Sequence, residues 1–287
     1  MRGQIDNKVM SSFFLWFDHT LLKKGEAFTN YQSNFYPVSN LYQGYNTYGS
    51  PFRQFVSDAS IPNAQIISGV YVNGSLTPKG SGSFTGINYG MGQSYFSSSV
   101  ATAPTGISGN YAIKDYNIFL TNDIEENLLF ETQYSPSNKI SQTPTGLPPG
   151  SLTYPAIFLK NNGGSNEPAA FGGMDKTSFN IRAIVLSDSQ FSLDAVSSIF
   201  RDTERTFVSI LEESEMPFNN LGDFKSGIAY NYTGLTAGKS EADRAFIEEV
   251  FVRKIGGLTF SQKTNLNPEV FSMIIDFELG MFRYPRI

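Results

Sequence analysis

Turn-forming residues set the first limit on what this chain can fold into. Twenty-six Gly and 14 Pro are spread through 287 residues, and they separate short segments rich in Phe (25) and Tyr (15). Gly and Pro interrupt helices, whereas aromatic side chains suit a pleated, half-buried surface. The pattern favours strands and turns over a helical bundle. Charged residues make up 16%, against about 25% in an average soluble protein, which argues against a long disordered tail. A chain of this length can bury its core without staples, and two modest domains are expected.

Several chemistries fail on composition. There is no Cys and a single His, so a disulfide framework, a thiol nucleophile, a zinc ribbon and the HExxH motif are all excluded. A Ser-His-Asp triad would have to use His19, and no G-x-S-x-G elbow is present. No metal and no cofactor is expected. A formal net charge of −5 argues against a general electrostatic grip on nucleic acid or an anionic membrane. No apolar run approaches the ~20 residues that span a bilayer. The patch Phe13–Phe17 is too short for a signal-peptide core, so a soluble, intracellularly made protein is expected.

Periodicity divides the chain into five stretches. Val9, Phe13, Trp16, Phe17 and Leu21 recur at helical spacing, which predicts a helix within residues 1–27 that stops at Gly25. Residues 28–63 carry Tyr31, Phe35, Tyr36, Tyr42, Tyr45 and Tyr48 among Asn, Gln, Ser and Gly. They read as an extended polar-aromatic arm. Residues 64–134 read as a β-rich domain, with a hairpin at Asn73-Gly74 and strands at Tyr111–Leu120 and Ile124–Tyr134. Residues 135–153 hold Pro136, Pro144, Pro148 and Pro149 and read as a linker.

Residues 154–287 change rhythm. Strands are expected at Tyr154–Lys160, Ser178–Leu186, Arg244–Ile255 and Val270–Phe282, with a loop at Asn161–Asp175. One long helix is expected across Ser187–Glu213. The fold class is therefore α+β: a mainly antiparallel C-terminal sheet packed by one long helix, a β-rich inserted domain and an N-terminal helix.

Candidate sites dissolve when their geometry is considered. Gly234-Leu-Thr-Ala-Gly-Lys-Ser240 resembles a Walker A loop, but Thr233 stands where its first Gly is required and no strand leads into it. Glu125-Glu126 and Glu248-Glu249 lie on expected strands, where neighbours point to opposite faces, and Glu212-Glu213 lies near a helix end. A glycosidase built from distant carboxylates remains an alternative. Asp18 and His19 diverge by about 100° on a helix, so a helix-end His at a surface or subunit contact is the simpler reading. Tyr and Phe among uncharged residues suit a protein–protein contact, with a sugar platform as the alternative.

Two stretches carry a resemblance. Phe171-Gly-Gly-Met-Asp-Lys-Thr-Ser-Phe-Asn-Ile-Arg-Ala-Ile-Val-Leu-Ser187, continuing to Ile199-Phe-Arg-Asp202, is similar to virion structural proteins of large tailed bacteriophages. So is the ending Ile274-Ile-Asp-Phe-Glu-Leu-Gly-Met-Phe-Arg-Tyr-Pro285. The order of elements resembles the neck and tail-terminator proteins of contractile-tailed phages, while residues 28–150 depart from that pattern. The resemblance implies a non-enzymatic virion component forming a hexameric or dodecameric ring, with other neck or tail proteins as partners and no sequence-specific nucleic acid or membrane. A baseplate, capsid-associated or sugar-binding virion protein is the alternative. The subunit-interface residues expected are Tyr36, Tyr42, Tyr45, Phe171, Met174, Arg283 and Tyr284.

Overall fold

A computed structural model describes residues 4–38, 43–100, 106–131, 135–136, 153–170, 172–227, 229–255 and 270–284. The protein is mixed α and β and mostly strand. Helix α1 (Ile5–Gly25) forms where the apolar spacing predicts it, with Lys23 and Lys24 in its last turn and Glu26 closing it at φ 46°. Its burial is not confined to one stripe. Val9, Phe13, Phe17 and Leu21 are buried, and so are Leu15, Asp18, His19, Thr20 and Leu22. A helix enclosed on all sides runs through a core rather than over one.

The first sheet has seven strands: β1 (Phe28–Pro37), β2 (Asn46–Gly49), β3 (Gly69–Val72), β4 (Ser75–Pro78), β5 (Phe84–Asn88), β6 (Gln93–Phe96) and β7 (Ile107–Lys114). Their order is β4-β3-β7-β1-β2-β6-β5. The β3–β4 hairpin turns at Asn73-Gly74 with φ of 50° and 83°. That left-handed pair is what a two-residue turn between twisted strands requires.

The arm expected at 28–63 is instead part of this sheet. β1 sits inside it, antiparallel to β7 from Phe28↔Lys114 to Phe35↔Ile107 and to β2 at Tyr36↔Gly49. The polar side chains mask a strand because β1 buries only Phe35 fully, while Asn30, Gln32 and Pro37 face solvent. Beyond β2, Phe52, Phe55 and Val56 are core residues.

The second sheet takes β8 (Asn117–Leu120), β11 (Ala156–Ala170), β12 (Met174–Ser187), β13 (Phe207–Ser209), β14 (Arg244–Lys254) and β15 (Phe271–Arg283), in the order β13-β14-β15-β12-β11-β8. β9 (Ser135–Pro136) and β10 (Thr153–Tyr154) make a separate parallel pair. The rest of the expected linker, 137–152, lies outside the described residues. β8, which precedes that linker, pairs in parallel with β11.

Three expectations in this half are corrected. The loop at Asn161–Asp175 is largely strand, because β11 and β12 pair out to Ala170↔Met174. The strand at Ile124–Tyr134 is replaced, within the described residues, by a π-turn at Asn127–Glu131. The long helix is α2 (Gln190–Arg201), capped by Ser189, whose hydroxyl accepts from the Ser192 N–H. Arg205 then adopts φ 64°, and β13 follows. α3 (Tyr232–Thr236) is a single short turn capped by Asn231. The second sheet is thus packed by α1 and α2 together rather than by one helix.

One continuous core joins the two sheets through α1. Phe17 stacks on Phe200 of α2 at 3.9 Å between centroids, and Phe13 meets Phe277 of β15 edge-on at 5.1 Å. Phe277 is also edge-on to Phe200 at 5.8 Å. Such pairs add to the stabilisation from area burial. Phe277→Ala should therefore cost about 3–5 kcal/mol. Phe191→Ser, at an 85% exposed position, should stay within about 0.5 kcal/mol. Equilibrium urea unfolding of both variants checks the contrast.

Candidate functional site

The densest buried polar cluster lies where α1 meets the first sheet. Neighbours on α1 turn to different partners. Asp18 Oδ1 lies 2.7 Å from Lys114 Nζ at the end of β7, whereas His19 Nδ1 lies 2.6 Å from Asp58 Oδ2. His19 is only 8% exposed. The surface or subunit-contact reading of His19 is therefore corrected: the ring is enclosed, stacked on Tyr232 at 4.5 Å.

Asp58 is fully engaged. Besides His19 it accepts from the Ser60 N–H at 2.9 Å, the Ser60 hydroxyl at 2.7 Å and the Tyr232 N–H at 3.0 Å. Burial pushes its carboxyl up, but the bonds from His19, Tyr232 and Ser60 outweigh burial and hold it below the usual range. For Asp18 burial prevails over Lys114, and its carboxyl is raised. Lys114 is the close cationic neighbour of the buried Asp18 carboxyl. The Tyr230 hydroxyl is buried nearby.

This cluster does not form a nucleophilic triad. Ser60 Oγ lies 3.4 Å from the same Nδ1 that Asp58 occupies, whereas a triad places acid and nucleophile on opposite ring nitrogens. Beside it is a cavity of about 160 Å³ bounded by Phe14, Asp18, Phe55, Tyr89, Lys114 and Phe218. Among the described residues no group of three or more His, Asp or Glu is arranged to hold a metal ion. Sequence reasoning found Asp18 and His19 but not Asp58 or Lys114. Asp58-Ala-Ser60 does carry a local turn signal, yet nothing in it points to a helix 39 positions away.

The other motifs are occupied by partners. Gly234 N–H donates to Asn231 Oδ1 at 2.8 Å, and Lys239 Nζ lies 2.6 Å from both Glu215 oxygens. The lysine of the Walker-like loop is therefore paired within the chain. Glu125 pairs with Arg182, Glu212 with Lys8 and Glu248 with Lys176.

The expected interface residues fall at two places. Tyr36 lies on β1 and Tyr45 precedes β2 with its ring 6.1 Å from Tyr95, both half-buried in the first sheet. Met174, Arg283 and Tyr284 gather at one end of the β11–β12–β15 ribbon, where Arg283 is level with Asp175. There Arg283 Nε donates to Thr177 Oγ1 at 2.7 Å, and Tyr284 is 71% exposed. Tyr42 and Phe171 lie outside the described residues.

The second sheet turns its other face away from both helices. Arg182 bonds Asp276 through Nε at 2.5 Å and Nη2 at 3.0 Å, and Arg253 reaches the same carboxylate at 3.0 Å. Lys176 and Glu248 meet across Gly280, where an added Cβ would lie 2.3 Å from Glu248 Oε1. Around this charge ladder stand Phe207, Phe251 and Phe282, exposed by 54%, 53% and 58%.

The chain matches no known family model and no curated protein sequence. No helix among the described residues is long and apolar enough to cross a membrane.

A carboxylate held below its unfolded value, here 3.8, adds stability that is full above that value and lost as pH falls through the folded one. Asp18, raised by burial, works in the opposite sense, so a variant comparison isolates Asp58. Asp58→Asn should cost about 3–5 kcal/mol at neutral pH. The gap to wild type should narrow below about pH 4. Unfolding midpoints measured from neutral to strongly acidic pH check this.

Proposed function

We propose that this chain is a non-enzymatic structural subunit of a tailed-phage particle, assembling into a ring at the neck or tail end. The observation that carries the reading is the second sheet's outer face. A sheet face bearing Phe207, Phe251 and Phe282 in the open is an apolar surface of the kind that marks a protein contact. Aromatic and Arg side chains are enriched in interfaces, and this face carries Phe207, Phe251 and Phe282 beside Arg182 and Arg253.

The acidic clusters support the same reading, because the carboxylates that would serve a hydrolase are held by Lys8, Lys176, Arg182 and Lys239. The buried His19–Asp58 pair has its carboxylate saturated with donors, which suits a positioning role in the core rather than proton transfer. The ring and its place in the particle follow from the resemblance of Phe171–Ser187 and Ile274–Pro285 to neck and tail-terminator proteins. Residues 154–287 act as the assembly domain in this reading.

Light scattering coupled to size exclusion tests the proposal. The wild-type chain of 31.7 kDa should run as a multimer, and Phe207→Ser with Phe251→Ser should run as a monomer with an unchanged far-ultraviolet spectrum. A wild type that stays monomeric at every concentration, or a double variant that assembles normally, would count against it.

A further inference from the structure

Among the described residues, β11 and β14 of the second sheet each have an outer edge that is unpaired over part of its length. On one side β8 covers Ala156–Leu159 of β11, and the Thr121 N–H donates to Leu159 O at 3.0 Å. From Asn161 onward no described strand lies on the side of β11 away from β12, and residues 162–170 are exposed. On the other side β13 covers Arg244–Phe246 of β14, and Ile247 exchanges hydrogen bonds with Arg205 and Thr206. From Glu248 to Lys254 no described strand lies on the side of β14 away from β15.

Open edges present rows of backbone donors and acceptors that another strand can pair with. Both runs have defined limits. Pro168 lacks an N–H, so the open run of β11 ends at Glu167. Its bulge between Asn161 and Gly164 bends it away from indiscriminate pairing. The remaining run, 161–167, matches the open run of β14, 248–254, in length.

Strand direction then selects the occupant. β14 is antiparallel to β15, β15 to β12 and β12 to β11, so β14 and β11 run in opposite senses. A second copy laid beside the first in the same orientation brings its β14 antiparallel to β11 without any flip. We infer that β11 of one subunit pairs with β14 of the next, head to tail, as the joint of the assembly. This deepens the ring reading above and rests on it.

The two open runs sit at different heights. Asn161 is level with Ile181, Phe277 and Val250, so the β11 run extends one way from that level and most of the β14 run extends the other. The neighbouring copy is therefore displaced along the strands. This is the stagger that tilts strands when a sheet closes on itself. A two-fold pairing of β11 with β11 would leave the β14 edge open on both copies. The head-to-tail joint uses both edges, and such a heterologous contact closes into a ring when the rotation between neighbouring copies divides a full turn.

The absence of Cys makes the test clean. Ser165→Cys on β11 and Glu249→Cys on β14, combined in one chain, should give a ladder of covalent dimers, trimers and higher species with a short bismaleimide. Either substitution alone should give only monomer, and a mixture of the two single variants should give dimer only. Covalent dimer from Ser165→Cys alone would show two-fold β11 pairing and overturn the joint. Intact multimers by light scattering with no ladder from the double variant would overturn the joint while sparing the ring. A wild type that never multimerises would overturn both.

Discussion

Phe17 lies flat on Phe200 at 3.9 Å, and Phe13 stands edge-on to Phe277 at 5.1 Å. On the same helix, Asp18 reaches Lys114 of the first sheet and His19 reaches Asp58 in the segment between β2 and β3. α1 is thus held from both sides, by aromatic packing against the second sheet and by buried polar contacts to Lys114 and Asp58. The two contacts differ in kind. Aromatic burial is non-directional and supplies most of the driving force. Buried ion pairs contribute little net stability but cost heavily when one partner is lost. They therefore fix how the helix is rotated between the sheets. The single core that runs through both sheets depends on that placement.

With α1 and α2 on its inner face, the second sheet has no described layer over much of its outer face. Only the end near Leu128, Tyr154, Phe158 and Ile184 is covered, in a small separate cluster. The rest is organised by Arg182, Asp276 and Arg253, whose bonds run across three strands. Charge pairs at fixed cross-strand positions hold register, since a one-residue slip would turn each of them to the opposite face. A register-locked sheet with exposed Phe rings, and with two edges partly open among the described residues, is suited to meeting other protein.

Much of this was legible in the amino-acid sequence, and the failures share a cause. The Asn73-Gly74 hairpin, the strands at 244–255 and 270–282 and the first helix declare themselves through local chemistry. β1 did not, because Thr29 and Ser33 interrupt the apolar side it shares with Tyr31 and Phe35. The outer half of β11 is Asn, Gly and Ser because both of its faces meet solvent. The helical spacing runs past the end of α2 because Phe207, Ile210 and Leu211 continue it by coincidence. Phe207 belongs to β13, and Leu211 is buried just beyond it. Asp58 and Lys114 became meaningful only once the fold set them against α1, far away in the chain. The interface residues expected from aromatic content divided accordingly: Tyr36 and Tyr45 support a sheet, and Tyr284 stands in the open.

Electron microscopy of the purified chain bears most directly on the claim that its chemistry is assembly. The account predicts closed rings of one subunit type, with sheet density continuing from each subunit into the next. Isolated particles the size of a single 31.7 kDa chain, persisting as concentration rises, would contradict it.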